Sequence, residues 1–209
     1  MASEFTATIE TLFEKASTAM REALSFASNC KRNCIVDPGF PILWFGDIDT
    51  YLKTPKDKRA ITVGVNPSGN ELSFNKSGKS IHFPPLTIEH TDIDIENYIL
   101  ALNNYFNNKP LAWFDIGMED KPYKYKEGNV IHIDCCSTVA TRPSWTGLCN
   151  PVKSLLKKQN EPIFEGLLEL LEPSEVYIAS NKAELEYIKG RCGDILKLDP
   201  KQIHCINKY

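Results

Sequence analysis

The residues best placed to do chemistry follow a short β-branched run. Ile61-Thr62-Val63-Gly64-Val65 leads directly into Asn66-Pro67-Ser68. Gly64 lets a ligand or another backbone approach closely. Pro67 biases Asn66 towards extended geometry, which fixes where its amide points. A neutral amide there can hold a water or a carbonyl. Asn-Pro-Ser-Gly is also ordinary turn chemistry, so the residues alone leave both readings open. Ser77-Gly78-Lys79-Ser80 looks like the end of a phosphate-binding loop, but Ser73 stands where its first glycine belongs. No helix follows, because the chain runs into Phe83-Pro84-Pro85, so the context that motif needs is missing. Lys76 and Lys79 read instead as a basic loop touching phosphates, or as a plain solvated loop. The histidines at 82, 90, 132 and 204 have no metal-ligand spacing, and His132 reads as a hydrogen-bonded core residue. Cys30 and Cys34 are spaced C-x3-C, Cys135 and Cys136 are adjacent and point to opposite faces, and the others are scattered. No metal or cofactor is expected from these spacings, and there is no Gly-x-Ser-x-Gly elbow.

The elements that must position these residues follow from periodicity. Apolar residues at helical spacing predict a helix over 4–29, and others over 92–107, 160–171 and 182–190. Short apolar runs predict strands at 60–65, 130–134, 175–179 and 194–198. Strands separated by helices imply crossovers and a parallel sheet covered on both faces. The expected fold class is α/β: a three-layer α/β/α sandwich with a central four-stranded parallel sheet. One domain spans 1–209, with 1–58 as a helical and irregular lead-in and 60–200 as the core. In such sheets ligands bind beyond the carboxyl ends of the strands. Those ends carry Gly64 to Ser68, Asp134, Ser180-Asn181 and Asp199-Pro200.

The run Ile61 to Ser68 resembles the first active-site motif of the uracil-DNA glycosylase superfamily, a strand ending in Gly-x-Asn-Pro-Gly, with Ser68 at the last glycine. The stretch Ala140-Thr141-Arg142-Pro143 looks like the Arg-Pro stretch of that superfamily's iron–sulfur branch, with Thr141 where a cluster cysteine would stand. The resemblance covers about residues 60–200. It implies a uracil-DNA glycosylase-like fold and a monofunctional glycosylase that hydrolyses the N-glycosidic bond of uracil or a related modified base in DNA. It implies Asn66 as the catalytic, water-positioning residue. Gly64, Val65, Pro67 and Ser68 would line the base, and Phe83, with Phe74 as runner-up, would stack on it. Asp134, where an asparagine is usual, would read the base edge. An ionised carboxylate only accepts hydrogen bonds, so it suits an N–H and repels a carbonyl. Lys76, Lys79 and Arg142 would hold phosphates. The closing-motif region falls at Asp199, Pro200 and His204, with Leu198-Asp199-Pro200 in place of His-Pro-Ser.

With 24 Lys+Arg against 27 Asp+Glu the formal charge is −3, which argues against a broad non-specific nucleic-acid surface but not a local groove. The expected partner is single-stranded or mismatched DNA, with no membrane and a monomeric state. No apolar run reaches transmembrane length, and Met1 to Phe5 lack signal-peptide character. A cytoplasmic location is expected, nuclear in a eukaryote. Seven cysteines, an odd count, fit a reduced chain better than a disulfide framework. The alternative is an inactive superfamily member that binds nucleic acid, a nucleobase or a nucleotide. An unrelated Rossmann-like enzyme would need a glycine-rich turn, of which Gly64-x4-Gly69 is a poor version.

Overall fold

The computed structural model describes residues 2–29, 34–72, 75, 77–84, 86, 93–108 and 117–206. Phe74, Lys76, His90 and Cys30 lie outside the described residues. Ten elements organise the rest. They are α1 (Ala2–Asn29), α2 (Ile48–Lys53), β1 (Ala60–Gly64), α3 (Ile95–Asn103) and α4 (Tyr105–Asn108), then β2 (Val130–Asp134), α5 (Asn150–Leu171), β3 (Glu175–Ile178), α6 (Lys182–Leu196) and β4 (Ile203–Cys205). The four strands form one parallel sheet in the order β2-β1-β3-β4, flanked by helices in a three-layer α/β/α sandwich.

The strands form where the sequence is apolar or β-branched on both faces, as a parallel sheet covered by helices requires. Every residue of β1 and β2 is buried. The chain leaves β1 for β2 on one side and later returns to β3 on the other. The carboxyl end of β1 therefore lies at the point where the winding direction reverses, the usual ligand crevice of such sheets. Long α1 and α5 pack on each other, and at Gly166 a Cβ would meet Leu12 Cδ2 at 2.7 Å.

Several boundaries differ from the periodicity, and the helix expected over 92–107 is two, Ile95–Asn103 and Tyr105–Asn108. The helix expected at 160–171 begins at Asn150, with Pro151 in its first turn. Pro162 sits inside it, yet Val152, Leu156, Ile163, Phe164, Leu167 and Leu168 bury one continuous stripe. Each such burial stabilises by about 1.5–3 kcal/mol, which offsets the roughly 3 kcal/mol a mid-helix proline costs. Likewise α6 does not stop at 190. Glu184, Ile188 and Cys192 continue its buried face at four-residue spacing. The predicted fourth strand, 194–198, is instead the end of that helix and its exit, which turns at Lys197 with φ of 53°. The true fourth strand, Ile203–Cys205, follows a turn capped by Asp199.

One buried polar residue fixes how β2 ends. Asn160 of α5 is 3 % exposed. Its Nδ2 donates to the carbonyls of Asp134 (3.1 Å) and Cys135 (2.8 Å), and its Oδ1 accepts from Thr138 N–H (3.0 Å). Asn160→Leu keeps the volume but strips these partners. It is expected to cost about 2–5 kcal/mol in urea unfolding, since each buried group left unpaired costs about 1–3 kcal/mol.

Candidate functional site

Parallel register sets Gly64 of β1 directly beside Asp134 of β2. Pairing continues one step further, with Cys135 N–H on Gly64 O (3.1 Å) and Cys136 N–H on Val65 O (2.9 Å). Gly64 has no side chain, and that space is taken: a Cβ there would meet the Asp134 carboxylate and come within 2.9 Å of His132 Nε2. His132 and Asp134 therefore lean across β1. Behind them runs a buried polar string. Tyr125 OH and Thr62 Oγ1 are 2.6 Å apart, and Thr62 Oγ1 and His132 Nδ1 are 2.8 Å apart. His132 is the buried, hydrogen-bonded residue its place on a central strand suggests.

The turn after β1 is zipped to residues 141–143. Thr141 N–H donates to Pro67 O (3.3 Å), and Gly69 N–H to Thr141 O (3.1 Å). Half-buried Asn66 donates through Nδ2 to Thr141 Oγ1 and to Pro67 O, both at 2.9 Å. Thr141 Oγ1 in turn donates to Pro143 O at 3.1 Å. Among the described residues nothing donates to Asn66 Oδ1, so the acceptor end of the amide stays open. Arg142 is exposed and lies over Gly69, donating from Nη2 to Gly69 O at 3.0 Å. A Cβ at Gly69 would stand 2.6 Å from Arg142 Nε, so the glycine makes room for the guanidinium. Pro67 is buried, Val65 half-buried and Ser68 exposed, with Ser68 Oγ accepting from Asn70 N–H at 3.2 Å.

Asn66, Gly64, Asp134 and Arg142 thus converge on one end of the sheet. Phe83 reaches the same face, but its ring is wholly buried and is not an open platform. It stacks on Tyr105 with centroids 5.1 Å apart and touches Phe40 and Phe45 edge-on or tilted. Tyr105 and Glu71 are functional candidates that the sequence reading missed. Tyr105 OH donates to buried Glu71 Oε2 at 2.5 Å. Burial, then the charges of Glu71 and Asp134, hold the Tyr105 hydroxyl far above the ordinary tyrosine range. That ties Tyr105 to both carboxylates. No motif announced it, because Glu71 and Tyr105 stand 34 residues apart.

Other expected residues lie elsewhere. Lys79 is exposed and its backbone bonds stay inside its own loop, with Asn75. Asp199 and Pro200 do not follow the last strand. They precede β4, at the opposite end of the sheet, where Gln202 Nε2 donates to Ser174 O at 2.8 Å. His204 lies within β4, stacked on Tyr177 at 4.7 Å with Nε2 3.3 Å from Glu175 Oε2. The reason is the misplaced fourth strand: Asp199 caps the turn into the strand rather than leaving it. Among the described residues no group of three or more His, Cys, Asp or Glu is arranged to hold a metal ion.

The segment 141–147 has its own anchor. Buried Trp145 donates from Nε1 to Glu184 Oε1 at 2.9 Å, and Lys157 Nζ pairs with Glu184 Oε2. Burial pushes the Glu184 carboxyl up, but hydrogen bonds from Lys157 and Trp145 outweigh it and hold the group below its usual range.

Two outcomes follow. Gly64→Ala is expected to displace Asp134 and His132 and cost about 1–3 kcal/mol by overpacking, read by denaturant unfolding. Glu184 ionises more easily folded than unfolded. Its contribution is therefore complete above the unfolded pKa of about 4.3 and is lost as pH falls through the lower folded value. Glu184→Gln is expected to lose about 1–2 kcal/mol at pH 7 and to show a flatter acid limb in stability measured from pH 7 down to pH 3.

Comparison with protein-family models, with curated proteins and with solved structures finds no match to this chain.

Proposed function

We propose that this protein hydrolyses the N-glycosidic bond of uracil or a related modified base in DNA, as the resemblance of Ile61 to Ser68 implies. One observation carries the reading. The Asn66 amide is clamped by Thr141 through its nitrogen, with its oxygen open, at the carboxyl end of β1. A clamped acceptor of this kind orients a water. An enzyme acting on a base must extrude it into a site. The bond then breaks through an oxocarbenium-like step, in which the attacking water needs placement more than a strong base. Backbone N–H groups around Val65 to Ser68 would face the departing base and stabilise its developing charge. Asp134 would read the base edge. Arg142, exposed beside the turn, would hold a flanking phosphate, and its charge would make binding salt-dependent. The chemistry as written calls for no cofactor.

A binding-only reading is favoured by one observation. Asp199 and Pro200, expected to close the site, sit at the far end of the sheet. The test is base release from labelled single-stranded and mismatched duplex DNA, followed by alkali to cut abasic sites. The substrates carry uracil, hypoxanthine or a guanine-type base, and Asn66→Ala is run beside the parent. Release is expected, falling by about 10-fold or more in the variant, equal to at least about 1.4 kcal/mol of barrier. No release from any substrate at high protein concentration overturns hydrolysis and leaves binding.

A further inference from the structure

We infer that the site favours a nucleobase that offers two adjacent N–H donors, the guanine-type edge, over one that offers the uracil edge. This rests on the reading of the site as a base-binding one, and it does not need hydrolysis. The observation is the state of Asp134. Its side chain is only 4 % exposed and its carboxylate lies over Gly64, at the crevice end of β1. Among the described residues it accepts no hydrogen bond. His132 Nε2 stands 3.6 Å from Asp134 Oδ1, beyond hydrogen-bond reach. Buried carboxylates are ordinarily hydrogen-bonded, because desolvation without a partner is costly. Neither Asp134 oxygen is fully sealed off without a partner, so a ligand N–H can reach the carboxylate and pair with it.

The neighbours narrow its chemistry. His132 Nδ1 is already engaged by Thr62. Glu71, the second buried carboxylate of this face, receives the Tyr105 hydroxyl.

An ionised carboxylate offers two acceptor oxygens side by side and no donor. Uracil presents one N–H between two carbonyls, so one carboxylate oxygen would face a carbonyl oxygen. Cytosine presents an amino group beside a ring-nitrogen lone pair, with the same conflict. Guanine presents a ring N–H beside an amino group, and both carboxylate oxygens are satisfied at once. An asparagine at 134 would pair a donor and an acceptor with the uracil edge instead.

The probes are isocytosine, a small soluble base with the guanine-type edge, and uracil. Each is titrated calorimetrically into the full chain and into Asp134→Asn, with melting curves to confirm that the variant folds. Isocytosine is expected to bind the parent at least about 10-fold tighter than uracil, and the variant is expected to lose or reverse that preference. Equal or tighter uracil binding by the parent overturns the inference. So does a preference unchanged in a folded variant, or no isocytosine binding at millimolar concentration. Turnover is measured separately. The isocytosine preference without base release from DNA defeats the hydrolysis and keeps this inference. Asn66-dependent release with uracil preferred does the reverse.

Discussion

The site depends on a missing side chain. Position 64 is the last residue of β1, paired in register with Asp134, and its empty face is filled by the Asp134 carboxylate and the His132 ring. Any larger residue would push both away from β1. The glycine is thus a packing requirement before it is a ligand-binding one. It sets where the buried acid sits and, through His132, where the Thr62 and Tyr125 hydroxyls must meet it. Everything proposed for this end of the sheet builds on that contact between neighbouring strands.

Around it the loops are held by polar groups whose desolvation only complete pairing offsets. Asn160 uses both ends of its amide to pin residues 134–138. Glu184 gathers Trp145 and Lys157 under the segment that carries Thr141 and Arg142. Thr141 then fixes the Asn66 amide. Functional side chains on loops are precise only when such a supporting shell locks them. Here α5 and α6 supply it from the rigid body of the fold.

The fold was largely legible because parallel strands buried on both faces read as unbroken apolar runs, as at Ala60–Gly64 and Val130–Asp134. The ends of α5 and α6 were not, because Pro162 and Gly190 look like helix breakers until the buried stripe that runs past them on the other face is seen in three dimensions. β4 was hidden for a related reason. Ile203–Cys205 is three residues long with a histidine in the middle, while the more apolar 194–198 imitates a strand. Misplacing it carried Asp199 and Pro200 to the wrong end of the sheet. In the site, Asn66, Asp134 and Arg142 were readable because strand ends in a parallel sheet must share an edge. Glu71 with Tyr105, and Thr62 with Tyr125, join residues 34 and 63 positions apart. No local pattern encodes those pairings.

Two buried carboxylates stand against the proposed polyanionic ligand, and the exposure of Arg142 against their burial separates the two contacts. Phosphates would run along the surface by Arg142, which is exposed, whereas Asp134 and Glu71 are buried. The base would meet Asp134 at contact range and in low dielectric, where charge matters most. A base departing as an anion would be opposed by Asp134 and would depend on the backbone N–H groups after β1 to hold its developing charge. One whose ring is already protonated or alkylated departs neutral and escapes the penalty. On the proposed reading, the acid that would take N–H donors from the bound base would therefore also favour a leaving group that carries no negative charge away.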